Sequence, residues 1–291
     1  MFLIEPFIWM FSVNNFKRHF LYLLLVGVVC WSILFAIFNF TGGNFFFTFN
    51  LFLNILIVLF EIILFLTPML CITGYFWCLT DNIIGRDTDV LLNSVYIGKT
   101  SNLKNIIILP DWNLFRFIWR GIASVVASII MYIPFVLLMI FVLFNLSVIA
   151  AFWNLNNAQI VAAVGILMLV IALLIPGLLW NYARRDSVLA VLNFQKAIYL
   201  MESYPKKYFL NTFLIVIFSF ARSFIMRVIL LALGLGAAFA ALSVPNSYAE
   251  LVGSQFLAAC AVCLIVGFIL DTYWIFVNAY LLGTITPPSE Y

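Results

Sequence analysis

Apolar residues fill this chain in long unbroken runs. They do not follow the 3.6-residue period of an amphipathic surface helix or the alternation of a half-buried strand. Six runs reach or exceed the roughly 20 residues a helix needs to cross a bilayer: 20–40, 49–79, 121–150, 158–180, 208–243 and 252–283. Several are longer than a crossing requires and are expected to tilt, bend or project beyond the lipid. Pro68, Pro134 and Pro176 fall inside the runs, where membrane helices tolerate kinks. A membrane β-barrel would instead show shorter stretches that alternate polar with apolar. The pattern predicts an all-α, polytopic integral membrane protein with six transmembrane helices and two cytoplasmic amphipathic segments. Residues 1–19 read as an interfacial N-terminal segment with Trp9 among the headgroups, and 20–291 as a single transmembrane domain.

The connections between runs alternate in charge. Residues 41–50 (TGGNFFFTFN), 152–158 (FWNLNNA) and 243–250 (SVPNSYAE) hold no lysine or arginine. Lys17 and Arg18 precede the first run; Arg86, Lys99, Lys104, Arg116 and Arg120 fall between the second and third; Arg184, Arg185, Lys196, Lys206 and Lys207 between the fourth and fifth. Positive charge on every second connection places those connections, and both termini, on the cytoplasmic side of a cell (inner) membrane. Lys17, Arg18 and His19 lead directly into about twenty apolar residues with no small-residue cleavage site, so the first run is expected to remain as an anchor.

Composition narrows the choice of medium. The chain has 291 residues, 66% hydrophobic and 9% charged, with mean hydropathy +1.19. A soluble domain is about 45–50% apolar and about 25% charged, and one water-facing core of this length cannot bury so much apolar surface. The formal net charge of +3 gives no reason to expect nucleic acid. The lipid bilayer is the expected partner, together with another membrane protein or a second copy of this chain.

The best-marked connection is ILPDWNLFRFIWRG, residues 108–121. Pro110 disfavours helix at Leu109, and Asp111 is placed to cap a helix through the amides of Asn113 or Leu114. Trp112 and Trp119 then belong in the headgroup belt, with Arg116 and Arg120 turned towards the cytoplasm. In the next basic connection, 183–204, the residues Val188, Val191, Leu192, Phe194, Ile198 and Leu200 recur at helical spacing. They predict an amphipathic helix in the interface. Pro205, Lys206, Lys207 and Tyr208 mark the return to the membrane, so the two halves share one plan: span, basic segment, proline, span.

Three stretches carry a resemblance: EPFIWMFSVNNFKRHFLYLLLVG, then GYFWCLTDNIIG, then the Leu-Pro-Asp-Trp of the third span. Together they resemble a prokaryotic family of polytopic membrane proteins known as domain of unknown function four thousand and thirteen. The positions concerned are Pro6, Phe7, Gly74, Tyr75, Asn82, Gly85, Leu109, Pro110 and Trp112. The stretch between Gly85 and Leu109 is longer than the family pattern, and Asn113 stands where an acidic pair would follow the tryptophan. The resemblance implies a fold and a membrane rather than a reaction.

Charges inside spans are the best functional pointers in such proteins. Glu61 lies in the second span, Arg222 and Arg227 in the fifth, Asp271 in the sixth. Counted from the outer ends at about 1.5 Å per residue, Arg227 lies about 26 Å deep, Asp271 about 28 Å and Glu61 about 18 Å. The fifth and sixth spans are joined by a short loop, so an Arg227–Asp271 pair is expected, with Arg222 reaching towards the interface. The four residues make either a relay or ligand site, or a structural ion pair.

Other motifs dissolve in context. Cys260 and Cys263 form C-x-x-C inside the last span and, with Cys30, Cys71 and Cys78, are expected to be small apolar packing residues. Gly234, Ala238 and Ala241, and the pairs Ala123/Ala127 and Ser124/Ser128, suit close helix contacts. GLGAAF lacks the strand a dinucleotide fingerprint needs. His19 has no positioned catalytic partner, and no metal site, cofactor or catalytic motif is expected. The sequence therefore points to a non-catalytic membrane assembly or accessory protein. A small permease or lipid-handling protein using Glu61, Arg222, Arg227 and Asp271 is the alternative, and an intramembrane enzyme the third reading.

Overall fold

In lipid every backbone amide must find its partner within the chain, which leaves helices as the spanning form for these runs. The computed structural model describes residues 16–40, 51–84, 109–145, 148, 156–185, 187–243 and 249–285. Six long helices among them are apolar enough to cross a membrane: α1 Phe16–Phe40, α2 Leu51–Ile84, α3 Leu114–Phe144, α4 Asn157–Arg185, α6 Pro205–Ser243 and α7 Ala249–Gly283. Between α4 and α6 lie a 3₁₀ turn, Val188–Leu192, and the short helix α5, Phe194–Ser203. The chain is a multi-pass, all-α membrane protein.

Several boundaries move. Phe16–His19, assigned from sequence to an interfacial segment, belong to α1; residues 1–15 and the first basic connection up to residue 108 fall outside the described residues. α3 starts at Leu114, and its cap is Asn113 rather than Asp111. Asn113 is extended, φ −142 and ψ 98, and its side chain accepts a hydrogen bond from the Arg116 amide at 3.0 Å. The delay has a packing cause. Trp112 turns inward onto Tyr22, His19 and Phe117, with ring centroids 5.0, 6.1 and 5.5 Å away, so the helix starts two residues later. Trp112 is thus a half-buried latch between α1 and α3, while Trp119 remains 66% exposed at the level where a headgroup belt would lie.

The segment 183–204 is not one amphipathic helix. Asn193 breaks it, ending the 3₁₀ turn and capping α5 through a hydrogen bond from the Lys196 amide at 2.9 Å. Val191 and Leu200 are buried, but Leu192 and Ile198 face outward. The segment folds back along α4: Asn181 donates to the Asn193 carbonyl at 3.0 Å, and Ala197 lies against Gly177.

α2 packs against α1, α3, α4 and α7, and α6 and α7 form a hairpin. The tightest crossing joins α2 to α3. A Cβ at Gly74 would sit 1.7 Å from the Phe117 carbonyl oxygen, and one at Gly121 would sit 2.1 Å from that of Leu70. Only glycine at both positions permits this approach, as at close crossings of membrane helices.

Pro176 breaks the hydrogen-bond ladder of α4, and a neighbour mends it. The Tyr208 hydroxyl of α6 accepts from the Gly177 amide at 3.0 Å and donates to the Leu173 carbonyl at 2.6 Å. In a regular helix the Gly177 amide donates to the Leu173 carbonyl, one step beyond the bond to the Ala172 carbonyl that Pro176 removes, so one phenol braces the turn that the proline weakens.

The core sits at one end. Tyr75, Leu79, Phe117, Phe276 and Val277 form one buried cluster; Met131, Trp180, Tyr182, Val191 and Tyr208 belong to a second. This is the basic end, where α2, α4 and α7 finish and α1, α3 and α6 begin. Towards the other end Phe52, Ile63, Phe141, Val161, Ile166 and Phe220 are exposed. Those surfaces are apolar and face lipid in a membrane.

Candidate functional site

Four charged side chains were singled out within the spans, and the structure separates them into a pair and two singles. Arg222 of α6 forms an ion pair with Asp271 of α7. The partner expected from sequence, Arg227, lies five residues beyond on an exposed part of α6. The reason is where α7 begins. It starts at Ala249, a turn earlier than the apolar run suggests, so Arg222 and Asp271 stand 21 and 22 residues from the turn-side ends Ser243 and Ala249. The two side chains retain 40% and 23% of their exposure. A lone charge near the bilayer centre costs at least about 2.5–3.5 kcal/mol, and the pairing offsets part of that penalty for both.

Glu61 is half-buried on α2, among outward-facing Leu59, Phe60, Ile62 and Ile63. Among the described residues, neither the Glu61 nor the Arg227 side chain takes part in an ion pair or hydrogen bond. The structure does not bring Glu61 to the Arg222–Asp271 pair.

A second ionic centre lies at the basic end, around Arg120. Arg120 does not face the cytoplasm: it is 3% exposed, and its guanidinium donates to the Ala183 carbonyl at 3.1 Å and the Cys78 sulfur at 3.5 Å. Its terminal nitrogen is 3.7 Å from the carboxylate of Asp81. The Tyr182 hydroxyl donates to the Arg120 carbonyl at 3.3 Å. One arginine thereby ties the inner ends of α2, α3 and α4 together. The available signal was an acid at 81 and a base at 120, both beside span ends. Sequence spacing alone does not reveal that these ends meet.

Residues of the family-like stretches gather in the same region. Tyr75 is fully buried, shares a hydrogen bond of 3.3 Å with His19 Nδ1, and stacks edge-on against Phe117. Leu109 and Trp112 pack in the same cluster. Gly74 makes the helix crossing, Pro110 is buried, and Asn82 is half-buried at the end of α2. Gly85 lies outside the described residues. What these positions share is packing around Tyr75.

A cavity of about 660 Å³ opens between α2 and α3, lined by Thr73, Phe76, Trp77, Ser124, Ser128 and Tyr132 with neighbouring aliphatic residues. Its serine and threonine hydroxyls turn back on their own helices: Thr73 donates to Met69, Ser124 to Gly121 and Ser128 to Ser124. The wall is therefore mainly apolar, and none of the four intramembrane charges lines it.

Polar atoms do accumulate along the α6–α7 seam. Asn211 donates to the Leu281 carbonyl at 2.7 Å and to Thr284 Oγ1 at 3.3 Å. Thr212 Oγ1, Trp274 Nε1 and Asn278 Oδ1 are buried without a hydrogen-bond partner. Asp271, Trp274 and Asn278 fall at i, i+3 and i+7, on one face of α7.

Cys71 and Cys78 are buried and Cys30 half-buried, none of the three in a disulfide, and Cys78 is more than a packing residue because its sulfur accepts from Arg120. The side chains of Cys260 and Cys263 and of the Gly234–Ala241 stretch fall outside the described residues. The chain matches no family model, no curated protein and no solved structure.

Proposed function

We propose that this multi-pass protein is a non-catalytic membrane assembly or accessory component of a cell membrane, with both termini in the cytoplasm. It holds a partner through the lipid-facing outer halves of its helices. The observation that carries the reading is the one-sided core: Arg120, Tyr75 and Tyr208 knit the basic end together while, among the described residues, the opposite halves of α2, α3 and α4 expose apolar side chains. A rigid base carrying unpartnered helices suits assembly. The mainly apolar cavity, which none of the four intramembrane charges lines, gives no polar route for a solute. The likeness to the polytopic family described above agrees with a membrane role of this kind.

Purification from native membranes in mild detergent tests this directly. A second copy or one dominant membrane protein should co-elute in fixed ratio, and proteoliposomes of the protein alone should pass no more protons or small solutes than empty vesicles. A monomer without partners, conducting protons, would overturn it.

A second reading has one observation in its favour. Thr212, Asn278 and Trp274 leave buried polar atoms unpartnered between the basic end and the Arg222–Asp271 pair. Such atoms are costly unless water serves them, and a file of water there would give protons access to Asp271. Proton flux in proteoliposomes that Asp271→Asn abolishes would establish that reading.

A further inference from the structure

The intramembrane charges balance as a set but not within one chain. Two acids, Glu61 and Asp271, face two bases, Arg222 and Arg227, and only Arg222 with Asp271 closes into a pair. What remains is one carboxylate on α2 and one guanidinium on α6, opposite in sign and, among the described residues, without partners. Both helices expose their apolar faces around these charges: Phe60 is 50% exposed and Ile62 47% beside Glu61, and Phe224 61% and Leu231 66% around Arg227.

The two charges lie at depths about 9 Å apart. Asn211 bonds to Leu281, and Gly283 lies against Ile83, which sets residues 211, 281–283 and 83 at one level at the basic end. Outward from there at about 1.5 Å per residue, Arg227 lies about 24 Å along α6 and Glu61 about 33 Å along α2. Both helices are long enough to tilt, and α2 contains Pro68. Tilt and the reach of two long side chains cover the difference.

We propose that two copies of this chain associate side by side in the membrane, with Glu61 of each copy paired to Arg227 of the other. The inference rests on the assembly reading above and names its partner. A two-fold axis normal to the membrane keeps both copies in one orientation and makes the contact twice, with the same patch serving on each side. Each pair removes two charges from lipid, where an unpaired one is disfavoured. Charge complementarity, across an offset that tilt and side-chain reach can span, favours a second copy over an unrelated apolar helix, which would leave both groups uncompensated.

Charge reversal gives an experiment with distinct outcomes. Two differently tagged copies are co-expressed and one tag is pulled down. Wild type should co-purify with wild type. Glu61→Arg should lose self-association at least tenfold, and so should Arg227→Glu, because each sets like charges face to face. A Glu61→Arg copy mixed with an Arg227→Glu copy should recover it, since both contacts are then opposite in sign. Should a reversed variant fail to insert, Glu61→Cys and Arg227→Cys copies, in a background with the five native cysteines replaced, should form a disulfide-linked dimer on mild oxidation. Self-association unchanged by either reversal, or no cross-link between the two cysteine copies, overturns the proposal. In that case a different membrane protein co-eluting in fixed ratio would leave the broader assembly reading standing.

Discussion

Tyr208 shows how much can depend on one phenolic oxygen. Tyr208→Phe keeps the ring and removes the group that joins the Gly177 amide to the Leu173 carbonyl. The expected loss is about 1–3 kcal/mol, the penalty for buried polar groups left unsatisfied, measured as reduced resistance to unfolding in detergent. Phe209→Leu, on an outward-facing neighbour, should change little. Arg120 and Asp81 offer a second test. Asp81→Leu removes the carboxylate from a buried guanidinium, for which about 3 kcal/mol is an upper expectation because Asp81 retains 30% of its exposure. The double change Arg120→Met with Asp81→Leu should recover part of that loss, and a double-mutant cycle measures the coupling. Sequence gave reason to expect a kink at Pro176 and a charge at Arg120. It did not show what meets them, because Tyr208 lies 31 residues beyond Gly177 and Ala183 lies 63 beyond Arg120.

At the scale of elements, helix identity was legible and helix register was not. Long apolar runs announced all six spans, and a reciprocal cap that starts α4, Asn156 with Gln159 at 2.9 Å in both directions, stands in an otherwise uncharged loop. Hydropathy, however, marks where lipid contact begins and not where the helix does. α7 continues back to Ala249 through Glu250, and that extra turn is what moved the partner of Asp271 from Arg227 to Arg222. Likewise Asp111 had the chemistry of a cap, but the inward turn of Trp112 gave the position to Asn113. The α2–α3 crossing yields a sharp prediction. Gly74→Val places carbon where the Phe117 carbonyl oxygen stands, and overpacking of this kind costs roughly 1–3 kcal/mol or more. The variant should show lost folded yield and weaker protection of α3 from proteolysis, whereas Gly165→Val, at a glycine with nothing within 4 Å, should behave as wild type.

For the whole molecule, the proposed threading, bare connections outside and basic ones inside, is checked by single-cysteine labelling in intact cells. In a background without native cysteines, Asn44→Cys and Ser247→Cys should react with an impermeant thiol reagent added outside, and Ser101→Cys and Ser187→Cys only after permeabilisation. Ser101 and Ser247 reacting from the same side would refute the six-span order. The candidate site was legible only in part: composition and position exposed the four intramembrane charges, but their pairing depended on helix starts that composition does not encode. The bridge across the break in α4 has a consequence for how the protein is made. A ribosome delivers α4 before Tyr208 exists, so the newly inserted helix waits in the bilayer with the turn at Pro176 unbraced. Only when α6 follows can the bridge form, and a chain arrested before residue 208 should therefore present its fourth span to quality-control proteases as unfinished.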